Sequence, residues 1–146
     1  LAIGSYGDNL LNITNAYSAI NNNGKIQSPE IIEKIESFKK QPIWENKSIS
    51  KKILDLKINK KINKLLEKSV KEGTSKAASI KGKKIYGKTG TSDGNKDLWF
   101  IGSIDNLTTG IWIGYDDNKE SELSSGNAAY LWKKFISEIY KIPIKK

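Results

Sequence analysis

Four consecutive residues, Lys88, Thr89, Gly90 and Thr91, combine the groups that a carboxylate-binding strand needs. Alternate residues of a strand share one face, so Thr89 and Thr91 can offer two hydroxyls together while Lys88 lies on the opposite face. Gly90 has no side chain, so an extended ligand can lie against the strand edge. By itself, a string of four residues also fits an exposed strand that ends in a turn.

The absence of histidine and cysteine limits the chemistry of the chain. Disulfides, thiolate nucleophiles, zinc sites of the usual kind and Ser-His-Asp triads are all excluded. Any nucleophilic step would therefore use a lysine, a carboxylate or a backbone dipole as its helper.

The composition is typical of a globular domain. Hydrophobic residues make up 37% and charged residues 28% of 146 residues, and no apolar run approaches the length of a membrane helix. The net charge is +9, and every one of the 25 basic residues is lysine. Lysines that cover solvated helix faces explain this bias, and attraction to an anionic polymer such as a nucleic acid is the alternative. The absence of arginine weakens the nucleic-acid alternative.

The hydrophobic pattern predicts an order of elements around the lysine–threonine segment. The first helix is capped by Asp8 or Asn9 and stops at Gly24, and a second helix is capped by Asn59 and stops at Gly73. Apolar residues at helical spacing should face the core. In the first helix they are Leu10, Ile13, Ala16, Tyr17 and Ile20, and in the second they are Ile62, Leu65, Leu66 and Val70.

The C-terminal half predicts a sheet and a closing helix. Residues 83–91, 97–104 and 108–115 favour three antiparallel strands, and residues 127–141 favour a helix that packs on them. Residues 31–35 suggest a strand, and residues 36–52 a loop or an exposed hairpin. We expect Trp99, Trp112 and Trp132 in the core.

Five collinear stretches resemble the transpeptidase domain of class A, bifunctional penicillin-binding proteins. The Lys-Thr-Gly-Thr strand is followed by Asp-Leu-Trp-Phe-Ile-Gly, and the next strand contains Trp-Ile-Gly-Tyr-Asp. Upstream, an Ala-Tyr helix and a Glu-Gly-Thr stretch are similar to those of the family. The resemblance covers residues 1–135 and is weakest over 36–57. The matching stretches are residues 15–24, 72–78, 88–91, 97–102 and 111–117.

The resemblance implies an α+β fold, part of a penicillin-binding-protein and serine β-lactamase-like domain, with helices packed on an antiparallel sheet. Residues 1–146 would be the C-terminal part of a single transpeptidase domain. Its N-terminal half, a glycosyltransferase domain and a membrane anchor would lie outside this chain. The parent protein would face the periplasm or the cell exterior.

The resemblance also implies roles for individual residues. Lys88 would supply positive charge, Thr89 and Thr91 would bind the carboxylate of the substrate, and the Thr91 backbone N–H would be half of an oxyanion hole. Asp97 and Trp99 would support the following turn. The family implies no metal and no organic cofactor. Its partners would be peptidoglycan stem peptides, β-lactam antibiotics in the complete domain and other cell-wall synthesis proteins, and not nucleic acid.

The nucleophile motif of the family, Ser-x-x-Lys, has no convincing match in this chain. Residues 37–40 and 48–51 fit the string, but both lie in the polar, least matched stretch and neither opens a buried helix. Ser-Gly-Asn at 125–127 imitates the second motif but follows the lysine–threonine strand, which is the wrong order. We therefore expect the serine to lie upstream of Leu1, and the chain alone not to be acylated by penicillin. A catalytically dead module of the same fold remains the alternative.

Overall fold

The computed structural model describes residues 7–143 of the chain. The first residues of the predicted resemblance, 1–6, lie outside the described residues. The helices are α1 (Leu10–Asn21), α2 (Leu56–Glu72) and α3 (Ser125–Ile139), and the strands are β1 (Lys25–Ile26), β2 (Lys34–Glu36), β3 (Pro42–Glu45), β4 (Lys51–Lys52), β5 (Ile85–Thr91), β6 (Asp97–Ile104) and β7 (Leu107–Gly114).

Strands β5, β6 and β7 form an antiparallel sheet in that order, as the sequence predicts. Gly90 pairs with Trp99, which pairs in turn with Trp112. Strand β5 therefore lies at one edge of this sheet, so half of its backbone groups point away from β6. The fold is α+β, with helices packed on an antiparallel sheet.

Helix α3 packs on one face of the sheet through Trp132, which is fully buried. Its indole meets the ring of Phe100 edge-on, with centroids 5.3 Å apart, and its N–H donates to Thr109 Oγ1 at 2.6 Å. Gly102 lies beneath the indole. Ala128 and Ile136 are buried in the same face, whereas Phe135 and Ile139, which follow the same helical spacing, are 46% and 49% exposed.

Helix α1 packs on the opposite face, where Leu10 and Thr14 contact the backbone at Gly110. Asn9 caps the helix by accepting a hydrogen bond from the Asn12 N–H at 2.9 Å, as predicted. The chain leaves the helix through a left-handed turn that contains Gly24.

Helix α2 begins four residues earlier than predicted. Asp55, not Asn59, is the N-cap, and its Oδ1 accepts from the Lys57 N–H at 2.7 Å. Asn59 lies inside the helix and is buried. Val70 is buried as predicted, whereas Leu65 is 68% exposed and does not belong to the buried stripe.

One ion pair connects α2 to the chain that enters β5. The Glu67 carboxylate contacts Lys71 at 2.7 Å and Lys84 at 3.7 Å. The hydrogen bond from Lys71 is the main cause that lowers the pKa of Glu67 below its usual range. Lys84 thus joins the start of β5 to the helix that precedes it.

The segment between α1 and α2 forms an exposed hairpin from β2 and β3, which confirms the hairpin alternative. The predicted strand over 31–35 is shorter and begins at Lys34. Both Ser-x-x-Lys strings lie in this exposed segment and outside any helix. No helix among residues 7–143 has the length and apolar character to cross a membrane.

We expect Gly102→Ala to destabilise the fold. A Cβ at this position would lie 2.6 Å from both Phe100 Cε1 and Trp132 Cε2, and overpacking of this kind lowers the free energy of unfolding by about 1–3 kcal/mol. The measurement is urea unfolding of the chain. Gly126→Ala is the control, because its nearest contact would be Ser124 Oγ at 3.3 Å and alanine favours the helix. Equal stability of the two variants would contradict the packing described.

Candidate active-site strand

Two hydrogen bonds establish which backbone groups of β5 face the open edge. The Ser92 N–H donates to the Asp97 carbonyl at 3.0 Å, toward β6, whereas the Thr89 N–H donates to Ser75 Oγ at 3.2 Å, away from β6. Backbone directions alternate along a strand, so the Thr91 N–H points in the same direction as that of Thr89. No acceptor for the Thr91 N–H lies within the described part of the chain.

The ammonium group of Lys88 lies at the same edge. Its Nζ donates to the Thr89 carbonyl at 2.9 Å, and this carbonyl faces away from β6. The side chain is exposed and starts on the strand face opposite Thr89, which agrees with the predicted alternation. A positive charge therefore stands at the open edge within one residue of Gly90.

The two threonines of the strand share a face but differ in exposure. Thr89 is only 7% exposed, and its hydroxyl donates to Thr74 Oγ1 at 2.8 Å. Thr91 is exposed. Of the two hydroxyls predicted to bind a carboxylate, that of Thr91 is open to solvent, and that of Thr89 already has an acceptor.

The segment that follows α2 covers the upstream part of the β5 edge. Ser75 is fully buried, and its Oγ accepts from both the Thr89 N–H and the Ser69 hydroxyl, the latter at 2.9 Å. No residue pattern in the sequence predicted a role for Thr74 or Ser75. Their sequence signals are two hydroxyl residues directly after the helix stop at Gly73 and their place in the matching stretch 72–78.

Gly90 leaves the strand edge accessible. A Cβ at Gly90 would lie 3.3 Å from the Cβ of Trp99, its cross-strand partner, and would meet no other side chain within 4 Å. Trp99 is half-buried, so it is only partly in the core. The space beside Gly90 is therefore open on the side away from Trp99.

A hydrogen-bond network fixes the turn directly after Thr91. The Asp97 carboxylate accepts from the Ser92 hydroxyl at 3.0 Å and from the Trp112 indole N–H at 2.9 Å. Ser92 Oγ also accepts from the Asp97 N–H at 2.8 Å. Trp112 is 38% exposed, which corrects its predicted place in the core. Sequence reasoning assigned Asp97 to the turn but missed Trp112 as its partner.

Two shallow cavities, of about 390 and 350 Å³, lie away from this strand. Their lining residues belong to α1, the β1 region, the start of β7 and neighbouring loops, and none belongs to β5. No group of three or more carboxylates among residues 7–143 is arranged to hold a metal ion. The candidate site is the open edge of β5, which carries the Lys88 ammonium and the exposed Thr91 hydroxyl.

Comparison with known families gives a match over most of the chain. Residues 1–135 match the family described as penicillin binding protein transpeptidase domain. The chain belongs to this family. The predicted resemblance is thereby confirmed over the residues from which it was inferred.

Penicillin-binding proteins are found among the curated relatives of this chain, and two of them serve as examples. Penicillin-binding protein 4 of Bacillus subtilis is 30% identical over 143 residues, which cover 95% of this chain and 23% of that protein. Penicillin-binding protein 1A of Rickettsia typhi is 36% identical and covers 82% of this chain and 18% of its own length. The chain thus spans about a fifth of the relatives that it matches.

Solved structures of penicillin-binding proteins share the fold. PonA1 of Mycobacterium tuberculosis matches with a TM-score of 0.83 at 19% identity, over 98% of this chain and 41% of that chain. Penicillin-binding protein 1A of Haemophilus influenzae matches with a TM-score of 0.79 at 18% identity, over 99% of this chain and 28% of that chain. Both establish the fold of this transpeptidase-family chain.

We expect Asp97→Ala to loosen the turn after Thr91. The change removes the acceptor of both the Ser92 hydroxyl and the Trp112 indole. Hydrogen bonds to a charged group contribute about 1.5–3 kcal/mol each when buried, and less at a half-exposed site such as this one. The free energy of unfolding should therefore fall. The measurement is urea unfolding together with hydrogen exchange of the Asn95 amide, which should accelerate.

The control for this turn is Asp117→Ala. Asp117 is exposed and pairs with the Lys119 ammonium, and surface ion pairs of this kind contribute little. The free energy of unfolding of the Asp117→Ala variant should stay within about 0.5 kcal/mol of that of the unchanged chain. The described turn would be contradicted if Asp97→Ala left the Asn95 amide as protected as before.

Proposed function

We propose that this chain forms the acyl-donor-binding wall of a serine-type D-Ala-D-Ala transpeptidase that cross-links peptidoglycan. The observation that carries the proposal is the open edge of β5. There the Thr91 N–H has no acceptor within residues 7–143, the Lys88 ammonium lies at the same edge on the Thr89 carbonyl, and Gly90 has no side chain to block an extended ligand.

The reaction needs a donor for developing negative charge. When a serine oxygen attacks the carbonyl between the two D-alanines, the carbonyl oxygen becomes an oxyanion. The Thr91 N–H, fixed by the strand and the following turn, serves as one of its hydrogen-bond donors. Collapse of this intermediate breaks the C–N bond, the departing nitrogen takes up the proton that the serine gave up, D-alanine is released and an acyl ester is left on the serine. An amine of a neighbouring stem peptide then attacks the ester and restores the serine.

The terminal carboxylate of the donor needs hydroxyls and positive charge. The exposed Thr91 hydroxyl and the Lys88 ammonium supply both at the same strand edge. Thr89 contributes a second hydroxyl, which in the free protein donates to Thr74. Penicillin presents a carboxylate and a strained carbonyl and would occupy the same edge.

The nucleophilic serine belongs, in this proposal, to a segment outside the chain. The two Ser-x-x-Lys strings lie in the exposed segment between α1 and α2, and Ser125 lies in the first turn of α3. Residues 1–146 would then be the C-terminal part of one transpeptidase domain. The parent would carry the remaining half, a glycosyltransferase domain and a membrane anchor, and would act outside the cytoplasmic membrane on stem peptides.

We expect the complete gene product to react covalently with a labelled penicillin, and this chain alone not to react. The reason is that the strand binds the donor but holds no activated serine. The measurement is intact-protein mass spectrometry followed by peptide mapping of the labelled site. A labelled serine within residues 1–146 would contradict the proposal. A complete product that never reacts would support the inactive module of the same fold.

We expect Thr91→Pro in the complete gene product to slow penicillin acylation by about 10²–10³, the usual effect of losing one oxyanion donor. Proline removes the N–H, and an edge strand tolerates this where the N–H faces away from its neighbour. The control is Thr91→Ala, which removes the hydroxyl and keeps the N–H. Equal rates for the two variants would show that the Thr91 N–H is not an oxyanion donor.

A further inference from the structure

We propose that Thr74 is a carboxylate-binding residue of this site and supplies an outward-facing hydroxyl donor, with Thr89 behind it. This inference rests on the proposed function and names a residue that lies outside the β5 strand. It concerns the hydroxyl pair formed where the end of α2 meets the strand edge.

The direction of the hydrogen bond between the two threonines is the first observation. The Thr89 hydroxyl donates to Thr74 Oγ1 at 2.8 Å. A hydroxyl has one proton and two lone pairs, so the single proton of Thr89 is already used. Thr74 accepts in this bond, and its own hydroxyl donates no hydrogen bond within residues 7–143.

Exposure is the second observation. Thr89 is 7% exposed, whereas Thr74 is exposed to solvent. A ligand that approaches the β5 edge therefore reaches the Thr74 hydroxyl before that of Thr89. In the free protein the Thr89 proton is engaged with Thr74, so the Thr74 hydroxyl is the first donor that such a ligand meets.

The surrounding backbone holds Thr74 in place. On one side, the Gly73 N–H caps α2 by donating to the Ser69 carbonyl at 3.0 Å. On the other side, buried Ser75 accepts the Thr89 N–H, and its carbonyl accepts from the Ala78 N–H at 3.0 Å. Thr74 is thus fixed between two anchored residues and is preorganised rather than free in a loop.

The chemistry of the pair favours an anion. A carboxylate only accepts hydrogen bonds, and a bond from a neutral donor to a charged acceptor is stronger than one to a neutral acceptor. Thr89 donates a hydrogen bond to Thr74, and Thr74 would donate one to the carboxylate. Because both bonds donate in the same direction, the first polarises the second. A neutral carboxamide at the same position would gain much less binding free energy from this hydrogen bond. Thr74 should therefore help the site to prefer donors that end in a free carboxylate.

The test compares two acyl donors on the complete gene product. One is a peptide ending in D-Ala-D-Ala with a free carboxylate, and the other is the same peptide with a C-terminal carboxamide. We expect Thr74→Val to lower kcat/KM for the carboxylate donor about ten-fold and to change that for the carboxamide less than two-fold. Thr74→Ser keeps the hydroxyl and should retain the preference.

Controls separate this role from a structural one. Ser79→Ala removes an exposed hydroxyl nearby that makes no side-chain hydrogen bond within the described residues, and it should leave both rates unchanged. An equal loss with both donors for Thr74→Val, or no loss with either, would overturn the inference while leaving the proposed function intact. If the unchanged gene product acylates with neither donor nor penicillin, the proposed function itself fails.

Discussion

The hydrogen bond from the Thr89 N–H to Ser75 Oγ is the constraint on which the site depends. An edge strand exposes alternate backbone groups, and such groups either pair with another strand or need a cover. Here the segment after α2 covers the edge as far as Thr89 and stops there. The next outward group, the Thr91 N–H, is left without an acceptor among residues 7–143. The border between covered and open edge lies at Gly90, where the strand has no side chain.

The remainder of the fold keeps this border in place from both ends. Upstream, α2 ends at Gly73 and delivers Ser75 into a fully buried position. Downstream, the carboxylate of Asp97 ties the turn to the third strand through the Trp112 indole. Beneath the sheet, Trp132 of α3 packs on β6 and keeps the strands in register. Interactions local to the site and interactions of the core therefore act on the same few residues of β5.

The parts of the fold that could be predicted from sequence are those with a clear period. The three strands and α3 carry β-branched, aromatic or helically spaced apolar residues, and their predicted bounds differ from the observed ones by about two residues. The start of α2 was wrong because Asp55 and Asn59 are both good cap residues, and only the contact of Asp55 with the Lys57 N–H decides between them. Leu65 and Phe135 follow the helical period but are exposed, since periodicity does not show how wide the packed face is.

The candidate site could be predicted only as a list of residues. The lysine–threonine segment indicated a carboxylate-binding strand, and alternation gave its two faces. The hydrogen bonds from Thr89 to Thr74 and to Ser75 join residues that are 15 and 14 positions apart, respectively, and no local pattern encodes such contacts. The burial of Thr89 follows from those contacts, so its difference from Thr91 could not be seen in the sequence either.

The most direct measurement is a crystal structure of the complete gene product acylated by penicillin. We expect the carbonyl oxygen of the acyl ester to lie about 3 Å from the Thr91 nitrogen, with the acyl chain along the open edge of β5. An ester carbonyl that points away from this edge, or a Thr91 N–H bonded to another segment of the protein, would contradict this expectation.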